Sequence, residues 1–466
     1  MTNILWITNK YVDGESRSHF YPDFLKNVEE KMETSGSKMN FIFFSNAMRD
    51  KVKSKNNFFY PDQKISLKNL SKEAKRIERD YGFTFKQACF PDLIQVSKSQ
   101  DMRKISLPER EFSRLDYLVP RFTYLEEIIK QAKIDIVFCD QSPEAEMEFA
   151  RSICLKLSKI FLRYDESFLG HCLYYQQFGF GKERIAEAVL DKKMTLEKAR
   201  YFVNDFVQHE RLPYQRREMY SEDKTYIGKK MMHFYRYPNY IKMALMKPYL
   251  YFEEKILKKL IEDKFNPEVP FLFFGFHLPT ESTVGLRALP FMNQISLIES
   301  ISRVLPYGTF LYVREHPHAR RDFPYGYLKR IKAMPNVRLL SAEIPISEIL
   351  KKSLGVLTYN ATTGIEALMY GKPVLSFAPN VYYGYHPSAD FCSDLYKLAE
   401  QLVSLVNREV KKEDTYDYVK KLFSISSSLS LNASTFLSEE DAEGKAGKFT
   451  AEINRVIMYC KEKEKK

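Results

Sequence analysis

The chain has 466 residues, 72 Lys+Arg against 60 Asp+Glu, and six cysteines, room for two or three domains at roughly 150 residues each. Apolar residues make up 44% and charged residues 28%, a globular mix that excludes a wholly disordered chain, and 21 Pro with 17 Gly disfavour a long fibrous helix. A net charge of +12 favours anionic partners (nucleotides, anionic glycans, nucleic acid, a lipid surface) without choosing among them.

No run approaches 18 consecutive apolar residues, so no transmembrane helix is expected. The opening MTNILWITNKYVDGES lacks the basic region and long apolar core of a signal peptide, and the expected location is the cytoplasm. Cys89, Cys139, Cys154, Cys172, Cys392 and Cys460 form no CxxC pair and no Cys/His cluster with zinc spacing, which predicts reduced, buried thiols and no metal site. In that compartment the sequons at Asn360 and Asn432 carry no meaning.

The N-terminal part reads as a strand over Asn3 to Thr8, a helix over Tyr21 to Thr34 and a strand over Met39 to Phe44. A long polar helix follows over Ser66 to Asp80, then further helices to residue 132. Two more strands, Asp135 to Cys139 and Ile160 to Tyr164, flank a helix over Glu144 to Leu157. Residues 181–265 are rich in Tyr, Phe, Met and Lys and read as helical.

The regular alternation then sharpens. Strands are predicted at Phe271 to His277, Thr309 to His316, Val337 to Leu340, Leu354 to Tyr359 and Pro373 to Phe377, with amphipathic helices over Asn293 to Leu305, Tyr325 to Met334, Ile346 to Ser353, Thr363 to Tyr370 and Ser393 to Val406. Five successive βα units require a parallel, doubly wound sheet, because parallel strands need crossover connections. A charged helix, a Ser-rich link and a terminal helix around Ala451 to Lys463 close the chain. The fold class is therefore α/β, with two Rossmann-like doubly wound domains facing a cleft, a helical insertion and C-terminal helices. The expected divisions are 1–180, 181–265, 266–410 and 411–466.

Ligands in such sheets sit at the carboxyl ends of strands. After Leu354 to Tyr359 the chain reads Asn360-Ala-Thr-Thr-Gly-Ile-Glu-Ala-Leu. Thr362 or Thr363 at this helix start can cap it or donate to a phosphate oxygen. The strand ending at His316 reads Arg-Glu-His-Pro-His, with His318, Arg320 and Arg321 adding positive charge. The strand from Phe271 ends in Gly-Phe-His-Leu-Pro-Thr-Glu-Ser-Thr, placing His277, Glu281 and Thr283 at the same edge. Three polar clusters on one sheet edge point to a shared anion or nucleotide site. No G-x-G-x-x-G and no P-loop occurs, which removes support for dinucleotide oxidoreductases and ordinary ATPases.

FHLPTEST, VREHP and TYNATTGIEALMYGKPVLSFAPNVYY together resemble the C-terminal donor domain of capsular and surface polysaccharide glycosyltransferases of the GT-B fold, among them the bacterial capsule Kdo transferases. The resemblance covers roughly residues 269 to 395; Ala378 stands where a Gly is usual, and Arg314 where a Lys is. It implies an N-terminal acceptor domain and a C-terminal nucleotide-sugar domain. It gives His316 and Thr363 to the donor's phosphates and Glu366 to its ribose or base, with Glu315 and Gly364 in the matching motifs of the same nucleotide-sugar site. A CMP- or UDP-linked sugar is the implied donor, with no other cofactor.

Acceptor deprotonation needs a base. GT-B enzymes usually place it in the N-terminal domain, where Asp165 and Glu166 follow the strand Ile160 to Tyr164, with Asp140 as a second candidate. No D-x-D pair stands at the site, which predicts metal independence. Residues 229–261 carry eight Lys/Arg and two Glu among Tyr, Phe and Met, a pattern that suits either an interdomain connector or peripheral contact with an anionic membrane. The implied activity is transfer of a sugar to a capsular or surface glycan, free or lipid-linked, at the inner face of the membrane, with no nucleic acid partner. A teichoic-acid-type glycerophosphotransferase, a UDP-sugar 2-epimerase and a non-catalytic scaffold of a polysaccharide assembly are the alternatives.

Overall fold

The structure is a computed structural model describing residues 1–8, 20–43, 52, 56–59, 67–88, 107–139, 145–166, 172–177, 183–191, 193–210, 259–277, 284, 287–314, 316, 325–379, 382–427, 429 and 441–464. The first half runs β1 (Thr2–Ile7), α1 (Phe20–Thr34), β2 (Ser37–Phe43), β3 (Asn57–Phe59), α2 (Leu67–Tyr81), α3 (Leu107–Gln131), β4 (Ile136–Cys139), α4 (Ala145–Lys156), β5 (Ile160–Glu166), β6 (Cys172–Gln177) and β7 (Glu183–Ile185). Helix α5 (Leu196–His209) then leads toward the second half.

That half contains β8 (Phe271–Gly275), α6 (Gln294–Val304), β9 (Phe310–Arg314), α7 (Tyr325–Lys332), β10 (Val337–Leu340), α8 (Ile346–Lys352), β11 (Gly355–Thr358), α9 (Thr362–Met369), β12 (Val374–Ser376) and β13 (Ala389–Phe391). Helices α10 (Leu398–Val406) and α11 (Lys412–Ser424), the short strand β14 (Ser426–Ser427) and α12 (Ala442–Glu464) complete the chain.

Both sheets are doubly wound. The first has the order β14-β6-β5-β4-β1-β2-β3, and β1 to β5 pair in parallel. The second has the order β10-β9-β8-β11-β12-β13 and is parallel throughout. In each, the chain starts mid-sheet, winds to one edge and returns to wind toward the other. The reversal falls between β1 and β4 in the first sheet and between β8 and β11 in the second. Crevices open at the carboxyl ends of strands at such points.

The strands are apolar on both faces because helices cover both. Ile4 and Trp6 of β1 face one core with α1 and α12, while Leu5 and Ile7 face the other with α2, α3 and α4. Phe271 and Phe273 likewise oppose Leu272 and Phe274 across the second sheet. Trp6 is the chain's single tryptophan and stacks on Phe449 of α12, with ring centroids 4.9 Å apart.

Several features depart from the sequence-based expectation: strands β3, β6 and β7 were not expected, and β7 falls within the stretch 181–265 that reads as helical. Strand β5 continues through Asp165 and Glu166, paired antiparallel with β6, where a loop was expected. Strand β13 adds a sixth member to the second sheet. The C-terminal segment also splits: α11 packs in the core of the second sheet, whereas β14 pairs with β6 and α12 packs on α1.

The chain thus crosses between the sheets twice, and the crossings are tied together. Leu190 N–H and Asp191 N–H both donate to Ser424 O, at 2.8 and 3.0 Å. Glu187 accepts from Lys421 Nζ at 2.9 Å and from Tyr385 Oη at 3.1 Å. Most of the basic stretch 229–261 lies outside the described residues.

Candidate functional site

The reversal between β8 and β11 brings His277, Thr358 and the start of α9 together. His277 follows β8 and is 6% exposed. Gln294 at the start of α6 holds its backbone on both sides: His277 N–H donates to Gln294 Oε1 and Gln294 Nε2 donates to His277 O, each at 2.9 Å. The Tyr359 backbone N–H donates to His277 Nε2 at 3.3 Å, and Thr358 Oγ1 lies 3.3 Å from the same nitrogen. Since Tyr359 N–H can only donate, Nε2 must accept, and the ring proton sits on Nδ1. Burial pushes the imidazole pKa down to about 3, and the charge of His316 pushes in the same direction. His277 is therefore a neutral rivet between β8 and β11, where the sequence placed it among the candidate nucleotide-sugar ligands at the cleft edge. His316, just after β9, is half-buried and within electrostatic reach of it. Arg314 donates to Ala342 O at 2.7 Å.

Helix α9 begins without a side-chain cap. Its N-cap is Ala361, and Thr362 and Thr363 occupy the first two helical positions, where neither caps. Their backbone N–H groups are orphan donors of the first turn, at the positive end of the helix dipole. Both threonines are half-buried.

Gly364 has a packing role that its motif does not announce. A Cβ built on it would lie 2.5 Å from Tyr383 Oη and 2.6 Å from Tyr383 Cζ. Tyr383 is fully buried and its hydroxyl donates to Ala361 O in a short hydrogen bond. The glycine makes room for this tyrosine, which braces the helix start. Glu366 is buried at 7% exposure, within electrostatic reach of Tyr370 and Tyr383. Glu281 and Glu315 lie outside the described residues.

Asn360 stands in the sequence as the start of the loop after β11 but not among the candidate site residues. It stands between β11 and the N-cap of α9 with φ +95°, is 4% exposed, and its buried Oδ1 has no hydrogen-bond partner. Such a backbone costs about 1–3 kcal/mol, and a buried orphan acceptor costs about as much again. The only sequence signal was its place immediately before Ala-Thr-Thr-Gly.

On the first sheet, Asp165 and Glu166 occupy the carboxyl end of β5, and Asp140 lies outside the described residues. Nearby α4 carries two buried ion pairs, Arg121–Glu146 and Arg151–Glu148, the latter at 2.9 Å. Arg287, from the other half of the chain, feels the charge of Glu148 and of Tyr382, although desolvation is the larger effect and lowers its pKa. The two halves thus approach each other at α4. Among the described residues no group of three or more His, Cys, Asp or Glu is placed to hold a metal ion. No helix among them is long and apolar enough to cross a membrane.

The family described as "Capsule polysaccharide biosynthesis protein" matches residues 184–386. Among solved structures, the chain is similar to a β-Kdo 2,7 transferase, KpsC, of Thermosulfurimonas dismutans at 12% identity, covering 65% of this chain and 89% of that one, with a TM-score of 0.35. It is also similar to a glycosyltransferase of Rickettsia africae at 11% identity, 96% and 98% coverage and a TM-score of 0.27. A UDP-GlcNAc 2-epimerase of Methanocaldococcus jannaschii matches at 10% identity, 91% and 99% coverage and a TM-score of 0.26. Likenesses this remote do not bear on chemistry. No curated protein matches the chain.

Proposed function

We propose that this chain, which matches the capsule polysaccharide biosynthesis family over residues 184–386, is a glycosyltransferase of capsular polysaccharide biosynthesis that takes its sugar from a nucleotide-activated donor. The observation that carries the donor site is the uncapped first turn of α9, at the point where the second sheet reverses direction. A phosphate there accepts from the Thr362 and Thr363 N–H groups and hydroxyls, and the helix dipole adds about 0.3–1 kcal/mol. His316 supplies a further donor from the end of β9. His277, neutral, sets the spacing of β8 and β11 beneath them.

In the transfer step a carboxylate removes the proton of the acceptor hydroxyl, the acceptor oxygen bonds to the anomeric carbon, and the bond from that carbon to the phosphate oxygen breaks. The leaving phosphate takes the electron pair, and fixed donors at α9 stabilise its charge. Asp165 or Glu166 is the proposed base, since β5 carries them to its carboxyl end. A CMP- or UDP-linked donor, no metal or other cofactor, and a free or lipid-linked glycan acceptor complete the reading. The basic, aromatic stretch 229–261 would hold the protein peripherally on the cytoplasmic face of the membrane.

A thermal-shift panel of CMP, CDP, UDP, GDP and ADP, with and without Mg²⁺, tests the donor site. A ligand at 100 times its Kd adds about 2.7 kcal/mol of stability. Stabilisation by CMP alone fits a Kdo or sialic acid donor, by UDP a hexose donor or an epimerase, and by CDP a glycerophosphate donor. His316→Ala should lose most of the shift. Silence across the panel refutes the donor site and leaves a scaffold role.

A further inference from the structure

The fold itself gives no reason for an asparagine at position 360. At φ +95° glycine is the least strained residue. The other described non-glycine residues with positive φ, Lys133, Ser158 and Glu210, lie at 50°, 52° and 58°, each just past the end of a helix and none of them buried. Asn360 instead lies before a helix and is buried. Its side chain does not cap α9, whose N-cap is Ala361 with no side-chain bond, and its Oδ1 bonds to nothing. A buried amide kept where glycine would suit the backbone better points to a partner from outside the protein.

We propose that Asn360 contacts the donor substrate: its Oδ1 accepts a hydrogen bond from a hydroxyl of the bound nucleotide sugar. This deepens the reading of α9 as the phosphate site and rests on it. An amide oxygen cannot serve phosphate oxygens, which are acceptors too. The groups on either side of a nucleotide sugar's phosphates are polyols, the ribose on one side and the sugar to be transferred on the other. Asn360 is two residues from Thr362, at most about 7 Å between Cα atoms, roughly the reach from a phosphorus atom to a hydroxyl of the adjoining ring. The first turn of α9 thus takes the phosphate, and Asn360 reads the hydroxyl beside it.

The test is titration calorimetry on wild type and Asn360→Gly, which keeps the backbone conformation and removes the amide. The probes are CMP, UMP, their 2′- and 3′-deoxy forms, CMP-sialic acid, UDP-N-acetylglucosamine and inorganic pyrophosphate. The variant should melt no lower than wild type and bind pyrophosphate equally. If the hydroxyl is on the ribose, it should bind the better of CMP and UMP about 10-fold more weakly, and one deoxy form should bind both proteins alike. If it is on the transferred sugar, the monophosphates should bind both proteins equally, and only the nucleotide sugars about 10-fold more weakly to the variant.

Equal Kd values for every ligand would overturn the role of Asn360 while leaving the donor site standing. Equal loss for pyrophosphate and nucleotides would overturn it too, by assigning the residue to the phosphate. Failure of wild type to bind any nucleotide would refute the donor site itself. Should Asn360→Gly melt lower than wild type, Asn360→Asp, which keeps an acceptor and tolerates positive φ, should retain the hydroxyl preference, and its loss there would overturn the proposal.

Discussion

Replacing Gly364 with alanine separates two explanations of the Thr-Gly-x-Glu-Ala motif. If the glycine served only close approach of a phosphate, Gly364→Ala would weaken nucleotide binding and stabilise the helix by about 0.5–1 kcal/mol. The structure predicts the opposite sign for stability. The new methyl would meet Tyr383 Oη at 2.5 Å and Cζ at 2.6 Å, and Tyr383 is fully enclosed. Overpacking of this kind costs about 1–3 kcal/mol. Displacing the hydroxyl from Ala361 O, which still accepts from Gly364 N–H at 3.0 Å, forfeits one hydrogen bond, for about 0.5–1.5 kcal/mol more. After subtracting the helical gain, a net loss of about 2 kcal/mol remains at mid-range, a fall of roughly 4–8 °C in the melting midpoint of this domain. Differential scanning calorimetry reads it directly. In a Tyr383→Ala background, where the clash is gone, the same change should cost nothing or stabilise. A Gly364→Ala protein as stable as wild type would refute the bracing role of Tyr383.

Acid sensitivity is the second expected outcome. Burial holds His277 at about 3 and His386 at about 4. His386 Nδ1 accepts from Ser388 N–H at 3.0 Å, so the neutral ring donates from Nε2 to Thr415 Oγ1. Both folded-state values lie below the ordinary 6.5 of an unfolded histidine, so stability is complete above about pH 6.5. It falls by about 1.4 kcal/mol per pH unit for each ring as pH drops toward 4. Urea unfolding between pH 7 and 5 should show this slope, and an unchanged slope in His277→Gln/His386→Gln would contradict it. Phe449→Ala should cost about 3–5 kcal/mol and red-shift the emission of Trp6 by unstacking it; an unmoved spectrum would show that α12 does not cover β1. Asp165→Asn and Glu166→Gln should spare donor binding while one of them cuts turnover about 10²-fold or more. Wild-type rates in both would remove β5 from the mechanism.

The second sheet was legible because its grammar is local. Runs such as Phe271 to Gly275 and Val337 to Leu340 are apolar on both faces, and each is separated from the next by an amphipathic helix. Strand β13 was missed because Ala389–Phe391 is short and largely unburied at the sheet edge, so it carries no apolar run. Strand β6 was missed for a related reason: CLYYQQ pairs antiparallel with β5, and nothing in its own residues announces that partner. The same pairing extends β5 through Asp165 and Glu166, two residues of low strand propensity, which neighbouring backbone hydrogen bonds hold in the ladder.

The site was legible by place and less so by role. Strand ends brought His277, His316 and Thr362–Thr363 to one edge, as spacing alone required. What spacing could not show is that His277 would be enclosed and neutral, since desolvation depends on Gln294 and Tyr359, 17 and 82 residues away. Gly364 is marked in sequence only as part of the donor motif, yet its neighbour in space is Tyr383, whose hydroxyl sits where a methyl would go. Asn360 shows the limit most sharply. In sequence it is an ordinary polar loop residue, the kind that solvent satisfies. Only burial turns its amide oxygen into an unmet acceptor, and only the uncapped helix that starts two residues later makes that a candidate place for a ligand. Orphaned polarity is a property of packing, so a functional residue defined by what it lacks becomes visible only once everything around it has been placed.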